Sequence, residues 1–152
     1  METAQVVEPI PYQMREGVKL LCRRDGAVLL IQEEHDDGTP FWTLPGGGVE
    51  PGESLGEALH REVREELQCA VNEVERIGRI WYRHTSRPMT VTRYSVFTGT
   101  MTSAPEPNPD HGVRSSRWVD DGSIPERTLD CVERLLGRLR RHPSGMSLES
   151  NN

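Results

Sequence analysis

The sequence predicts an α/β fold in which helices pack against the faces of a mixed β-sheet. Short runs of aliphatic and β-branched residues alternate with two longer segments of helical periodicity, in the order strands, helix, strands, helix. The 152 residues suit one domain with one core. We expect that domain to span residues 1–142, with 1–13 as a loose arm and 143–152 as a disordered tail.

The first strands come early in the chain. Residues 18–23 and 27–32 are apolar runs, and the Asp25-Gly26 pair between them predicts a tight hairpin. The residues that follow predict a polar loop at 33–40, a short apolar segment at 41–44 and a glycine-rich loop at 45–52. Glycine in such number indicates backbone freedom or the close approach of a ligand.

The first helix is predicted at residues 54–67. Ser54 is a natural N-cap, and Glu57 three residues later completes a capping box. The apolar residues of this segment recur at four-residue steps: Leu55, Leu59, Val63 and Leu67. That spacing places them on one stripe, which we expect to pack on the sheet.

The second half of the chain repeats the pattern. Residues 89–101 are rich in β-branched and aromatic side chains and predict a long strand. The other elements expected here are a strand in the second half of 71–83, a proline-rich loop at 104–112, a short strand at 116–119 and a helix at 126–141. The arginines of that helix come late, where the helix dipole favours them.

Composition narrows the classes of function. The formal net charge of −6 argues against a protein that binds nucleic acid over its whole surface. An anionic substrate would be repelled by this charge unless the charge at the site is locally positive, and a bound divalent cation would make it so. The cysteines Cys22, Cys69 and Cys131 are too far apart for a zinc motif and odd in number, so a reducing compartment is expected. No segment resembles a signal peptide or a membrane span, so we expect a soluble cytoplasmic protein.

The candidate chemistry lies on the first helix. Glu62, Glu65 and Glu66 are spaced i, i+3, i+4, so their carboxylates project from one side of the helix and repel one another. Solvent, arginines or a hard divalent cation can offset that repulsion. Taken alone, three glutamates more often form a solvated surface than a metal site.

The wider pattern resembles the Nudix box, which is a glycine, five residues, a glutamate, seven residues, and then Arg-Glu-aliphatic-any-Glu-Glu-any-Gly-aliphatic. The matching residues are Gly47, Glu53, Arg61, Glu62, Val63, Glu65 and Glu66. The letters WTLPGG before the box and RWV at 117–119 also resemble the family. Gln68 and Cys69 replace the last glycine and aliphatic residue, and Gln68 predicts a different helix end, because glycine most easily adopts the left-handed terminal conformation.

The resemblance implies a Nudix-type α/β/α sandwich with a mixed sheet, and hydrolysis of a nucleoside diphosphate derivative with Mg²⁺ or Mn²⁺. By position, Glu62, Glu65 and Glu66 would be metal ligands together with the carbonyl of Gly46, and Arg61 would orient a carboxylate. Glu53 would support the loop and helix start, a direct catalytic role being the alternative. The general base would be a box glutamate or a loop acid such as Glu106 or Asp110.

Candidates for substrate binding lie after the box. Trp81, Arg83 and Arg87 belong to a locally basic and aromatic stretch, which also contains Arg79, Tyr82, His84 and Arg93. These cations suit phosphates and the aromatic rings suit a base, but a solvated strand edge and core packing explain them equally well. Glu106 is a further candidate for substrate contact.

Three functions remain open from the sequence. The first is the hydrolase, acting on a small-molecule nucleotide, with a capped RNA end not excluded. The second is a Nudix-like domain that binds a nucleotide without cutting it. The third is a relative that isomerises an isoprenoid diphosphate, which Cys69 at a helix end fits poorly. The sequence leaves a homodimer, the number of metal ions and the exact substrate open.

Overall fold

The computed structural model describes residues 12–84, 87, 89–120 and 122–141. Its elements are β1 (Gln13–Arg24), β2 (Ala27–Glu34), β3 (Pro40–Thr43), β4 (Gly46–Gly48), α1 (Leu55–Leu67), β5 (Val71–Arg83), β6 (Thr90–Met101), a 3₁₀ turn (Pro109–His111), β7 (Ser115–Val119) and α2 (Asp130–Arg141). The expected tail at 143–152 and most of the expected arm at 1–13 lie outside the described residues. No helix in the described part is both long and apolar enough to cross a membrane.

The strands form one mixed sheet, as the sequence predicts. Its order is β3-β2-β1-β6-β5, with β4 paired to β1 and β7 paired to β2. The central strands β1 and β6 are parallel, while the other pairs are antiparallel. The fold is therefore the expected α/β arrangement with two helices.

The two central strands β1 and β2 separate soon after their hairpin. They pair only at Arg23 with Val28 and at Arg24 with Ala27. Farther from the hairpin, β1 pairs with β4 instead, so that Lys19 lies opposite Gly46. The chain between β3 and β4 therefore enters the sheet at this divergence, which is where the candidate site forms.

The helices cover opposite faces of the sheet. Residues Val18, Leu20, Leu29 and Ile31 pack with α1, whereas Leu21, Val28 and Leu30 pack with α2. Side chains alternate between faces along a strand, so one apolar run serves both helices. This gives three layers, as the family resemblance implies.

The local signals give most boundaries correctly. Asp25 and Gly26 both have positive φ, 52° and 81°, as the predicted tight hairpin requires. Ser54 and Glu57 form both hydrogen bonds of the capping box. The expectation of a different helix end at Gln68 is wrong, because Gln68 itself adopts the left-handed conformation (φ 53°, ψ 36°) and its N–H bonds to the Arg64 carbonyl.

Several other boundaries differ from the sequence-based expectation. β1 starts at Gln13, β2 continues to Glu34, β4 forms within the glycine-rich loop, and β5 occupies all of its segment. α2 begins at Asp130 rather than at 126. The preceding backbone bonds to β3 instead of forming a helix, since Trp42 N–H donates to the Arg127 carbonyl at 2.9 Å and Leu129 N–H donates to the Trp42 carbonyl at 3.0 Å.

Candidate active site

Two glycines of β4 allow the backbone to pass close to the α1 carboxylates. Gly46 has φ 138°, and a side chain there would meet the backbone of Val18 and Lys19. A Cβ on Gly47 would lie 2.7 Å from the carboxyl group of Glu62. The loop thus forms a cradle that only glycine can line, and Glu62 occupies it.

Glu66 is the most buried acid of the site. Its side chain is 4% exposed, and Oε1 accepts a 2.7 Å hydrogen bond from the Gly46 N–H. Burial raises the pKa of Glu66 well above its ordinary value, and the neighbouring acids Glu33 and Glu62 raise it further. A bound cation would stabilise the charged form of this carboxylate.

Arg61 binds four oxygen-bearing groups and holds the start of α1 to the glycine-rich loop. Nε and Nη2 donate to the two carboxylate oxygens of Glu53 at 2.7 and 2.9 Å. Nη2 also donates to the Gly48 carbonyl at 2.9 Å, and Nη1 donates to Glu62 at 3.0 Å and to Glu65 at 3.3 Å. The hydrogen bonds from Arg61 lower the pKa of Glu53 to about 2.

The three box glutamates differ in burial and in partner. The Glu62 and Glu65 side chains are 15% and 35% exposed, and both are bound to Arg61, whereas Glu66 is bound to the backbone. Burial raises the pKa of Glu62 despite the lowering effect of Arg61. Within the described ranges, no three His, Cys, Asp or Glu side chains are already arranged to hold one ion together.

The residues nevertheless fit a divalent cation. Carboxylate and carbonyl oxygens are the ligands that Mg²⁺ prefers, and Glu62, Glu66 and the Gly46 carbonyl come from elements that touch. Like charges buried side by side need a counter-charge. The side chains of Glu62 and Glu65 would have to turn from Arg61 to complete such a site.

The site contains two further residues that the sequence did not indicate. Lys19 is 4% exposed, and its Nζ donates to the Leu44 carbonyl at 3.1 Å and lies 4.7 Å from the centre of the Tyr94 ring. Burial alone lowers the pKa of Lys19, but the neighbouring Tyr94, Glu33 and Glu66 outweigh it and the pKa is raised.

Glu33, near the end of β2, interacts electrostatically with this lysine. Burial raises the pKa of Glu33, and Lys19 opposes the rise. The sequence offered one signal for the pair, a single lysine within an otherwise apolar strand. Nothing nearby in the sequence indicated that Glu33 would be its neighbour.

The proline-rich loop docks on the C-terminal end of α1. Glu106 N–H donates to the Leu67 carbonyl at 2.8 Å, and Asn108 N–H donates to the Glu66 carbonyl at 2.9 Å. Asn108 Nδ2 also donates to the Glu65 carbonyl at 2.9 Å. The loop is thus fixed next to the site, while the Glu106 and Asp110 side chains are exposed.

The candidates for substrate contact lie elsewhere, on and after β5. Trp81 is 51% exposed, with the Arg93 guanidinium 5.9 Å from its ring centre. Arg83 lies 6.0 Å from the ring centre of Tyr12, and Arg87 is exposed in the turn that follows. Trp81 and Arg83 border grooves between the edge strand β5 and α2, while the Ile80 and Tyr82 side chains next to them pack in the core on the α2 side. Trp42 is buried in the core on the α2 side.

A family model described as the NUDIX domain matches residues 14–130. Among curated proteins, the RNA pyrophosphohydrolase of Rhodopseudomonas palustris is 39% identical over 77 residues, which are 48% of this chain and 44% of that protein. The nucleoside triphosphatase NudI of Escherichia coli is 55% identical over 49 residues, which are 31% of this chain and 35% of that protein. The matched segments therefore span less than half the length of these relatives.

Solved structures share the fold at low sequence identity. The MutT NUDIX hydrolase from Burkholderia pseudomallei aligns with a TM-score of 0.75 at 23% identity, over 84% of this chain and 98% of that one. The MutT protein from Methanosarcina mazei aligns with a TM-score of 0.73 at 23% identity, over 90% and 99%. The arrangement of sheet and helices is thus shared with both proteins.

Proposed function

The chain belongs to the Nudix family, and from that premise we propose that it hydrolyses a phosphoanhydride bond in a nucleoside diphosphate derivative with the help of a divalent cation. In this reaction a water oxygen forms a bond to one phosphorus and the bridging P–O bond breaks. The leaving phosphate keeps the electron pair, and the proton of the water passes to a base.

The site fits Mg²⁺ or Mn²⁺ held by Glu62, Glu65, Glu66 and the carbonyl of Gly46. Such an ion neutralises phosphate oxygens and lowers the pKa of water, so that a nucleophile is available at neutral pH. Glu66 would bind from a fixed position, because the Gly46 N–H already holds its carboxylate. Glu62 and Glu65 would bind from the more open side of α1.

Arg61 and Glu53 position these ligands. Their paired hydrogen bonds connect the second turn of α1 to the segment just before the helix. The hydrogen bond from Arg61 to the Gly48 carbonyl connects α1 to β4. Residues that orient metal ligands in this way typically change activity 10- to 100-fold when they are replaced. We assign Glu53 this supporting role rather than direct contact with the reacting atoms.

The observation that carries the proposal is the buried carboxylate of Glu66 beside Glu33 and Glu62. A solvated acidic surface would leave these groups exposed, and Glu66 is buried. The names of the two relatives, an RNA pyrophosphohydrolase and a nucleoside triphosphatase, support a nucleotide as substrate. The isomerase alternative loses support, because Cys69 is buried in the core on the α1 side.

The test is phosphate release from a panel of nucleoside triphosphates, sugar nucleotides, dinucleoside polyphosphates and 5′-triphosphorylated oligonucleotides, with Mg²⁺ and with Mn²⁺. Glu66→Gln is the inactive reference, and Glu75→Gln, at an exposed glutamate of β5, is the matched control. We expect turnover in the wild type and in Glu75→Gln only. Turnover by Glu66→Gln at the wild-type rate, or no turnover on any substrate, contradicts the proposal. Ligand binding that survives chelation without turnover would favour the non-catalytic alternative.

A further inference from the structure

The sheet has two edge strands, and they differ in what covers them. At one edge, β3 is bonded to the chain before α2, since Trp42 N–H donates to the Arg127 carbonyl and the Trp42 carbonyl accepts from Leu129 N–H. At the other edge lies β5, and in the described part of the chain no strand pairs with its outer side. Residues of an antiparallel strand direct their N–H and C=O groups alternately to its two sides, so such an edge can accept a further strand.

The second half of β5 has the regular geometry that strand addition requires. Register shifts interrupt the first half, between Asn72 and Glu75 and between Arg76 and Gly78. From Gly78 to Arg83, each residue pairs in turn with β6. Bulges protect an edge against added strands, and the pairing of residues 78–83 shows no register shift. We call residues 78–83 the open edge segment.

A groove between the open edge segment and α2 provides space for an added strand. Its volume is about 610 Å³, within the range of ligand-binding sites. The charged side chains that line it are those of five arginines and one glutamate: Arg79, Arg134, Arg138, Arg140, Arg141 and Glu133. In a chain of net charge −6, the groove is locally positive and favours an anionic ligand.

The side chains of the open edge segment alternate between the two faces of the sheet. Ile80 packs in the core on the α2 side. Trp81 is half-exposed on the other face, where the Arg93 guanidinium lies 5.9 Å from its ring centre. Arg79 and Arg83 are exposed and lie two residues before and after Trp81, so they project from the same face as Trp81. An added strand would therefore meet this arginine–tryptophan–arginine row on one face and the arginines of α2 on the other.

The charges of these two faces indicate the chemistry of the occupant. Opposite charges on neighbouring strands stabilise the pair, and like charges directly opposite one another destabilise it. A second copy that paired antiparallel about Trp81 would place Arg79 opposite Arg83, so its own charges disfavour it. Nucleic acid lacks the alternating N–H and C=O groups of a strand. A peptide segment with acids opposite the two arginines, an apolar residue opposite Trp81 and acids towards α2 matches both faces.

We propose that the groove between β5 and α2 binds an extended acidic segment of a partner protein, which adds to β5 as a further strand. Main-chain hydrogen bonds to the open edge segment provide affinity. The arginines and Trp81 provide the preference for acidic and apolar side chains. The groove is formed by β5 and α2, whereas the candidate active site is on α1, so this inference goes beyond the proposed hydrolysis and does not depend on it.

The first experiment tests the charge of the occupant. The full chain is titrated in EDTA into a fluorescent peptide in which a central valine is flanked on each side by two glutamates. Arg134→Glu/Arg138→Glu is compared with Arg23→Glu/Arg24→Glu, which makes the same change of charge at the exposed β1–β2 hairpin. We expect at least about a tenfold loss of affinity in the groove variant and less than about a twofold loss in the hairpin variant. Equal losses, or no binding by the wild type, overturn the proposal.

Main-chain pairing is tested with the wild-type protein alone, so its result does not depend on the folding of a variant. The peptide is N-methylated at alternate residues, in two versions that block one edge of the extended peptide or the other. Only one edge can face β5, so one version should bind at least about tenfold more weakly and the other should retain most of the affinity. Bound peptide should also slow hydrogen exchange of amides in residues 78–83 and leave those of α1 unchanged. Equal binding by both versions, or no added protection, would refute strand addition.

Trp81 and competing occupants provide the last test. Trp81→Ala should weaken peptide binding about fivefold, while Trp81→Phe should retain most of the affinity. Equal affinity of wild type and Trp81→Ala would contradict the predicted contact on that face. A single-stranded oligonucleotide of equal charge should compete poorly, and competition as strong as that of the peptide would identify a general polyanion site and overturn the assignment. Self-association of the chain that the peptide reverses would identify a second copy as the occupant and overturn it as well.

Discussion

The two helices cover opposite faces of one sheet and use charge in opposite ways. On the α1 side, Arg61 is engaged by Glu53, Glu62, Glu65 and the Gly48 carbonyl, and Glu66 is buried. On the α2 side, the helix carries the exposed arginines Arg134, Arg138, Arg140 and Arg141. Charge that is enclosed by the fold fixes a geometry, whereas charge that is left in solvent remains free to bind a ligand.

The largest expected effect comes from a substitution on the α1 side. Glu66→Gln removes a charged ligand but retains an oxygen that can accept from the Gly46 N–H, so we expect turnover to fall about 10³-fold. The melting temperature should stay the same or rise, because repulsion among the acids is relieved. Glu133→Gln, the same change at an exposed position of α2, should leave turnover unchanged. An equal loss of turnover in both variants would mean that the two faces do not differ in this way.

A second prediction concerns Lys19, the cation enclosed on the acidic side. Lys19→Met removes the positive charge that acts on Glu33 and Glu66, so the free energy of unfolding in EDTA should fall. The same change removes a repulsion against an incoming cation, so Mn²⁺ should bind about tenfold more tightly. Urea denaturation and Mn²⁺ titration measure the two effects.

Glu33→Gln is the matched control for Lys19→Met, because it removes a negative charge where Lys19→Met removes a positive one. It removes a negative charge from the same pair, so it should weaken Mn²⁺ binding. If Lys19 were only a packing residue, Lys19→Met would weaken Mn²⁺ binding as well. That outcome would contradict the charge-balancing role.

The third prediction compares arginines on the two faces. Arg61→Lys keeps the charge but loses the paired hydrogen bonds to Glu53, so kcat/KM should fall 10- to 100-fold, by the typical cost of losing a ligand-orienting residue. Arg134→Lys keeps the charge at an exposed position of α2 and should leave kcat/KM unchanged. An equal loss of kcat/KM in Arg61→Lys and Arg134→Lys would show that the partners of Arg61 do not set it apart from an exposed arginine.

The smallest expected effect lies in the response to acid. The bonds from Arg61 lower the folded-state pKa of Glu53 to about 2, against an ordinary value of 4.5. A lowered pKa contributes stability that is present above pH 4.5 and is lost as the pH falls towards 2. Glu53→Gln should therefore lose less stability than the wild type over this interval. Urea denaturation across this range measures the difference, with Glu133→Gln on α2 as the control, and identical profiles for Glu53→Gln and wild type would disprove the coupling.

Much of the fold followed from residues that are close in the chain. The hairpin at Asp25-Gly26, the capping box of Ser54 and Glu57, and the apolar stripe of α1 depend on positions a few residues apart. Local periodicity and capping can therefore be predicted from the sequence. Gln68 shows the limit of that reasoning, because the loop that docks on α1 holds the helix end in a conformation for which glycine is usually needed.

The sequence by itself determined the α/β class, the two helices and the row of box residues on α1, because each of these rests on short-range spacing. Only the tertiary structure decided that Lys19 and Glu33 meet Glu66, and that arginines of α2 share a groove with Trp81. These encounters arise because β1 separates from β2 and pairs in parallel with β6, which joins positions as distant as Glu16 and Arg93. Contacts of that kind depend on how whole elements pack, and no local pattern of residues specifies them.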